Sequence, residues 1–134
     1  MATMVVEESP MRLLSDVGND EDVPLGGGGA QVLRIENVYM EAGDCERGEQ
    51  IGVVYIEEAE TGHGDRVLVT ATFELNDEDS FVVGGIARRI MHDDRPSFRG
   101  RLGIRGGTGK YKGGRGQADV DVCNPKRWII DLGP

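Results

Sequence analysis

The sequence predicts an all-β fold, seven or eight antiparallel strands in a small closed barrel or a sandwich, with a short N-terminal helix or lid segment. Three observations lead there. From residue 31 onward apolar residues recur with a period of two rather than 3.6, the spacing of strands with one dry and one wet face. The chain holds 21 glycines in 134 residues, roughly twice the usual ~7% share. They follow no collagen-like period, which suits many turns and bulges. After residue 30 no helix of ordinary length can be drawn, and polar or glycine-bearing segments separate the candidate strands. At 14.5 kDa, one barrel domain accounts for the chain.

The elements follow in order. Residues 1–30 read as a flexible lid or linker and residues 31–134 as the barrel. Ser9 can cap two turns of helix, with Pro10 opening it and Gly18 stopping it. Met11, Leu14 and Val17 then share one face, and Gly26 to Gly29 form a hinge. So short a helix needs an apolar surface to lie on, which leaves a lid or a disordered tail. In the first strand Leu33, Ile35, Asn37 and Tyr39 alternate with Val32, Arg34, Glu36 and Val38. Further strands are expected at about 50–57, 66–75, 81–91, 97–105, 115–123 and 126–132. The alternation is clearest late: Phe98, Gly100, Leu102 and Ile104 oppose Arg99, Arg101, Gly103 and Arg105. Strands near 50–57, 66–75 and 81–86 are apolar on both faces, which predicts a homo-oligomer formed through their outer side.

Composition excludes several function classes. No apolar run approaches the ~20 residues of a membrane span, and the N-terminus lacks a signal-peptide core. Two cysteines, Cys45 and Cys123, make neither a disulfide framework nor a four-thiolate zinc site. A soluble cytoplasmic protein, without membrane or nucleic-acid partner, is the expectation. The net charge of −9 opposes general nucleic-acid binding. It is unevenly spread: residues 1–87 carry 19 acidic and 4 basic side chains, residues 88–127 carry 4 acidic and 11 basic. Either the basic half binds an anion or RNA, or acidic early strands lie near basic late ones. The few aromatics between these cations favour the second.

The glycine-rich run Gly103 to Gly116 is not a phosphate loop, because Ile104 stands where its first glycine would be and Tyr111 where its hydroxyl would be. The only histidines, His63 and His92, fall in predicted loops. No cofactor or metal site is expected.

The same run resembles the late half of dirigent proteins and allene oxide cyclases. It comprises Gly84–Arg88 in a strand, then Ile104-Arg105-Gly106-Gly107-Thr108-Gly109-Lys110-Tyr111, then Gly113-Gly114-Arg115-Gly116 leading a strand. Gly48-Glu49-Gln50-Ile51-Gly52 is similar to their early glycine-containing strand. Gly113 and Gly114 depart from the family, which has an alanine or another small residue there. The resemblance implies an eight-stranded antiparallel β-barrel with a hydrophobic cavity. The short length, the N-terminal segment and Trp128 on the last strand further resemble bacterial spirotetronate- and spirotetramate-forming cyclases. These are cofactor-independent enzymes that promote an intramolecular Diels–Alder-type cycloaddition of a linear polyene in polyketide antibiotic biosynthesis.

Period-two reasoning then predicts the cavity wall. Leu33, Tyr39, Val69, Phe73 and Val83 are expected on it from the early strands, and Phe98, Leu102, Ile104, Val120, Trp128 and Ile130 from the late ones. Trp128 is either a flat wall against a polyene or a core plug. Under the cyclase resemblance, Lys126, Tyr39 and Tyr55 are candidates to hold the substrate's head-group carbonyl, and Met11, Leu14 and Val17 would close the lid. A lipocalin-like carrier and an allene-oxide-type isomerase are the alternatives. The latter needs an inward carboxylate, for which Glu57 is the candidate.

Overall fold

The computed structural model describes residues 10–17, 23–24, 31–76, 79–123 and 125–132. Among them run nine strands: β1 (Met11–Val17), β2 (Val23–Pro24), β3 (Gln31–Gly43), β4 (Glu46–Glu60), β5 (Arg66–Leu75), β6 (Ser80–His92), β7 (Arg95–Gly107), β8 (Gly116–Val122) and β9 (Lys126–Leu132). The order β1-β9-β8-β7-β6-β5-β4-β3-β2, with an added β1–β3 pairing, closes eight staves into an all-antiparallel barrel. The two-residue β2 is an appendage on β3, with Val23 opposite Leu33. No α-helix occurs among the described residues, where a single 3₁₀ turn, Gly109–Tyr111, precedes β8.

Met11–Val17 corrects the expected helix. It is the closing stave, with Leu13 opposite both Met40 and Trp128. Met11, Leu13 and Ser15 point inward at period two, a pattern that the i, i+3, i+6 spacing of Met11, Leu14 and Val17 masks. Without β1, the edges of β3 and β9 would leave backbone donors and acceptors unpaired, which a closed barrel avoids. Leu14, on the other face, is also fully buried, between its partners Tyr39 and Arg127. Met11, Leu14 and Val17 therefore belong to the barrel wall. The expected cap at Ser9 and hinge at Gly26–Gly29 lie outside the described residues.

The glycine-rich run is the β7–β8 connection. Thr108 Oγ1 accepts the Ser80 backbone N–H at 3.0 Å, and Tyr111 tucks its ring against Phe81 at 5.0 Å. Gly109 has φ +58°, and a Cβ there would collide with the Asp79 carboxylate. The motif thus has a steric reason to exist that involves no phosphate.

Part of the charge asymmetry resolves into contacts between early carboxylates and the late cations Arg88, Arg89, Lys126 and Arg127. Glu41 on β3 accepts from Arg12 Nε at 2.9 Å, from Arg127 Nη1 at 3.1 Å and from the Cys45 backbone N–H at 2.6 Å. Beside it Cys45, in the β3–β4 turn, forms a disulfide with Cys123, in the β8–β9 turn, 78 residues away. The bond ties two hairpin tips to each other across β1. Such bonds persist in oxidising compartments.

Glu41 gives this corner a pH dependence. Burial pushes its carboxyl up, but the Cys45 N–H, Arg127 and Arg12 together hold it below its ordinary value of 4.5. A depressed folded pKa stabilises above the unfolded value and ceases to do so as the pH falls through the folded one. Glu41→Gln should therefore cost roughly 1.5–3 kcal/mol at pH 7, the usual range for hydrogen bonds to a charged group. The difference from the parent in urea denaturation should shrink as the pH falls below 4.5 through the lowered folded pKa, and vanish once Glu41 is protonated in both states.

Candidate functional site

The inner face can be read from the register. Successive layers across β1, β9 and β8 are Met11, Ile130 and Ala118; then Leu13, Trp128 and Val120; then Ser15, Lys126 and Val122. The middle layer is aromatic. Trp128 meets Phe73 edge-on at 5.0 Å and Phe98 at 6.0 Å, and Phe73 stacks on Phe81 at 4.9 Å. All three phenylalanines and the single tryptophan of the chain are inside.

Of the predicted wall, Val69, Phe73, Val83, Phe98, Leu102, Ile104, Val120, Trp128 and Ile130 are buried on this inner face. They do not, however, line the expected hollow. Val69, Ala71, Phe73, Phe81, Val83, Phe98 and Trp128 each have 0% exposure, so no water-sized space borders them. A low aromatic count implied too little bulk to fill a barrel. Concentrating the aromatics inside supplies it.

On β3 the expected parity is reversed. Arg34 pairs in register with Ile56 and Glu36 with Val54, so the even positions face inward. Leu33 and Tyr39 lie on the outer face, where the Arg47 guanidinium stands 5.1 Å over the Tyr39 ring. A one-residue change of parity moves a whole strand's side chains to the other face. Tyr55 is also outside, 37% exposed. Its hydroxyl donates to Glu74 Oε1 at 3.4 Å, and partial burial, with the Glu74 charge, pushes its phenol up. Tyr39 and Tyr55 are thus removed from the interior. Glu57 is likewise exposed, whereas Glu36 and Glu58 are buried.

Lys126 points inward, with its side chain 4% exposed. Its ammonium donates to Glu36 Oε2 at 2.9 Å and lies 4.9 Å from the Phe98 ring centroid. Ser15 Oγ donates to Glu36 Oε1 at 2.6 Å and itself accepts the Trp128 indole N–H at 2.8 Å. Four side chains from three strands therefore form one buried relay, Trp128 to Ser15 to Glu36 to Lys126. A second buried pair sits nearby on the same inner face: Arg34 Nη1 reaches Glu58 Oε2 at 2.7 Å, and Arg89 Nη1 reaches Glu58 Oε1 at 3.4 Å.

Sequence reasoning singled out Lys126 and Trp128 but missed Ser15, Glu36, Arg34, Glu58 and Arg89. The available signal was the charge of Lys126 on the face shared with Trp128 and Ile130; Glu36 lay on the face of β3 read as outward, so its pairing with Lys126 could not be read from the alternation.

Such a relay is an expensive way to hold a small barrel together. Desolvating an ion pair costs several kcal/mol per ion, and apolar replacement of the whole pair is often neutral or stabilising. What the relay provides is a fixed ammonium and a fixed carboxylate beside an aromatic surface. In low dielectric these can hold an enolate or carbonyl oxygen, or exchange a proton with it.

The energetics can be checked by denaturation. Glu36→Ala should destabilise by about 3–5 kcal/mol, because it strands the Lys126 charge. Adding Lys126→Met to Glu36→Leu should restore stability to within ~1 kcal/mol of the parent or better. A cost below ~1 kcal/mol for Glu36→Ala would show that the pair is solvated.

No family model matches the chain, and no curated protein is similar to it in sequence. Solved structures do share its fold. A structure named pyocyanin demethylase superposes with a TM-score of 0.67 at 14% identity, over 92% of this chain and 98% of that one. The chain is an eight-stranded barrel of that architecture.

Proposed function

We propose that the chain is a cofactor-independent cyclase. It would fold a linear polyene bearing a tetronate or tetramate head so that diene and dienophile meet in an intramolecular Diels–Alder-type cycloaddition. The observation that carries this reading is the Lys126–Glu36–Ser15–Trp128 relay, a set of directed polar groups in contact with the aromatic side chains of the barrel centre. The resemblance of the run Gly106 to Gly116 to the dirigent and allene oxide cyclase superfamily supports it. So does the existence of a barrel of like fold named for a reaction on a small molecule, pyocyanin.

In this reading the Lys126 ammonium holds the acidic enol oxygen of the head group, and Glu36 keeps Lys126 in place. Trp128, Phe73 and Phe98 part to admit the polyene and then form its wall. A concerted cycloaddition moves no proton and forms no covalent enzyme intermediate. The barrel's contribution is geometric: effective molarities for well-oriented intramolecular reactions correspond to roughly 7–11 kcal/mol of barrier. Complementarity to the folded transition state, rather than to the extended substrate, sets the rate.

Incubation with a linear polyene tetronate should give a product of unchanged mass and shifted retention. Trp128→Ala should lower rate or selectivity, and Lys126→Met should lower the rate by about 10–100-fold if one charged hydrogen bond of ~1.5–3 kcal/mol is lost. No product, together with no thermal stabilisation by the substrate, rejects the cyclase. An allene-oxide-type isomerase is the second reading, favoured by the buried carboxylates Glu36 and Glu58. It predicts turnover of a fatty-acid epoxide instead, abolished by Glu36→Gln or Glu58→Gln.

The same reading includes a homo-oligomer. Tyr55, Leu68 and Ile86 are exposed on the outer face, and Leu68 lies directly opposite Ile86. Leu68→Glu should convert an oligomer seen by gel filtration at micromolar concentration into a monomer. A parent protein that elutes as a monomer contradicts the oligomer.

A further inference from the structure

On the outside of the barrel, the register sets three arginines in one row. Arg66 on β5 is directly opposite Arg88 on β6, and Arg88 is directly opposite Arg99 on β7. Opposed residues in antiparallel strands stand about 4.5–5.5 Å apart, so the row spans roughly 10 Å at its base. All three side chains are exposed. Like charges placed directly opposite destabilise a sheet, and little here offsets them. Arg88 meets Asp65 at 3.4 Å, with both side chains more than half exposed, and such a surface pair is weak. Among the described residues no carboxylate pairs with Arg66 or Arg99. By contrast, Arg89, Arg101 and Arg127 each meet a carboxylate.

Beside the row β6 and β7 keep one register, Gly84 opposite Gly103 and Arg88 opposite Arg99, with no ladder pairing between those points, and a Cβ on Gly100 would lie 3.4 Å from Ala87 Cα. β7 and β8 pair only from Gly100 to Gly103. Gly85 and Gly100 have φ +149° and +155°, values that favour glycine. A groove of about 370 Å³ opens there, lined by Arg88, Arg99, Gly100, Asp119, Val120 and Asp121. The carboxylates of its far wall are engaged: Asp119 Oδ1 accepts from Arg101 Nε at 2.9 Å, and Asp121 Oδ1 accepts the Val122 backbone N–H at 2.7 Å. They repel an anion from that side and leave the arginine wall as its place.

We propose that Arg66, Arg88 and Arg99 form a binding site for an oligophosphate-type anion, a ligand with two or more tetrahedral oxyanion groups in line. A guanidinium fork grips two oxyanion oxygens at once. One phosphate can bridge two neighbouring arginines; a row of three matches a chain of phosphates. The chain's net charge of −9 repels anions at long range, so recognition here is local and strongly salt-dependent. The site is independent of the interior chemistry.

Calorimetric titration of the full chain with inorganic tripolyphosphate, and with orthophosphate for comparison, tests this. Tripolyphosphate should bind at least tenfold more tightly than orthophosphate. Arg88→Gln and Arg99→Gln should each weaken it at least tenfold, and Arg88→Lys by an intermediate factor, since charge remains but the fork is lost. Arg115→Gln, an exposed arginine away from the row, should change it less than twofold. The melting temperature of Arg88→Gln should not fall, because its removal relieves repulsion. Equal losses in all three glutamine variants, or no binding of tripolyphosphate by the parent, would overturn the site.

Discussion

A sheet closed on itself has one inside, and every second side chain of eight strands must share it. That limit on volume and parity governs the rest of this molecule. It explains why Met11–Val17 is a stave: the gap between β3 and β9 requires a partner for both edges, and β1 supplies both ladders at once. It also explains the disposition of bulk. With Trp128, Phe73, Phe81 and Phe98 drawn into the centre, small residues occupy other inward positions on the same and adjacent strands, among them Ala71, Ala87 and Ala118.

Within so confined a space, charge survives only in matched sets. Glu36 has a donor on each oxygen, from Ser15 and Lys126. Glu58 is likewise met by Arg34 and Arg89. Lys126 and Arg89 join these early carboxylates to later strands, so the acidic first part and the basic later part of the chain meet inside the barrel. Apolar replacement of a buried ion pair is often neutral or stabilising, so the proposed site rests on a relay that the stability of the barrel does not require.

Much of the fold was legible in the residues. The late alternation Phe98, Gly100, Leu102, Ile104 reports its inward face without ambiguity, because three of the four alternate positions, 99, 101 and 105, carry arginines. The same logic placed Trp128, Ile130 and Lys126 together. It failed on β3, where both faces mix apolar and polar groups. There Leu33 and Tyr39 looked like the buried set, and the partners that permit Arg34 and Glu36 to be inside, Glu58 and Lys126, are distant in sequence. It failed on β1 because seven residues fit both periods, and only the missing stave between β3 and β9 decides between them. The closed interior was hidden for another reason: composition counts aromatics without saying that they converge.

The most direct test is a crystal structure of the protein with a bound ligand that carries a tetronate head on a conjugated tail. The account predicts the head-group oxygen within hydrogen-bond distance of Lys126 Nζ, Glu36 still bonded to Lys126, and Trp128 turned to line the tail. A ligand found only on the outer surface, with Trp128 still bonded to Ser15 and the aromatic cluster unchanged at saturating concentration, would contradict it.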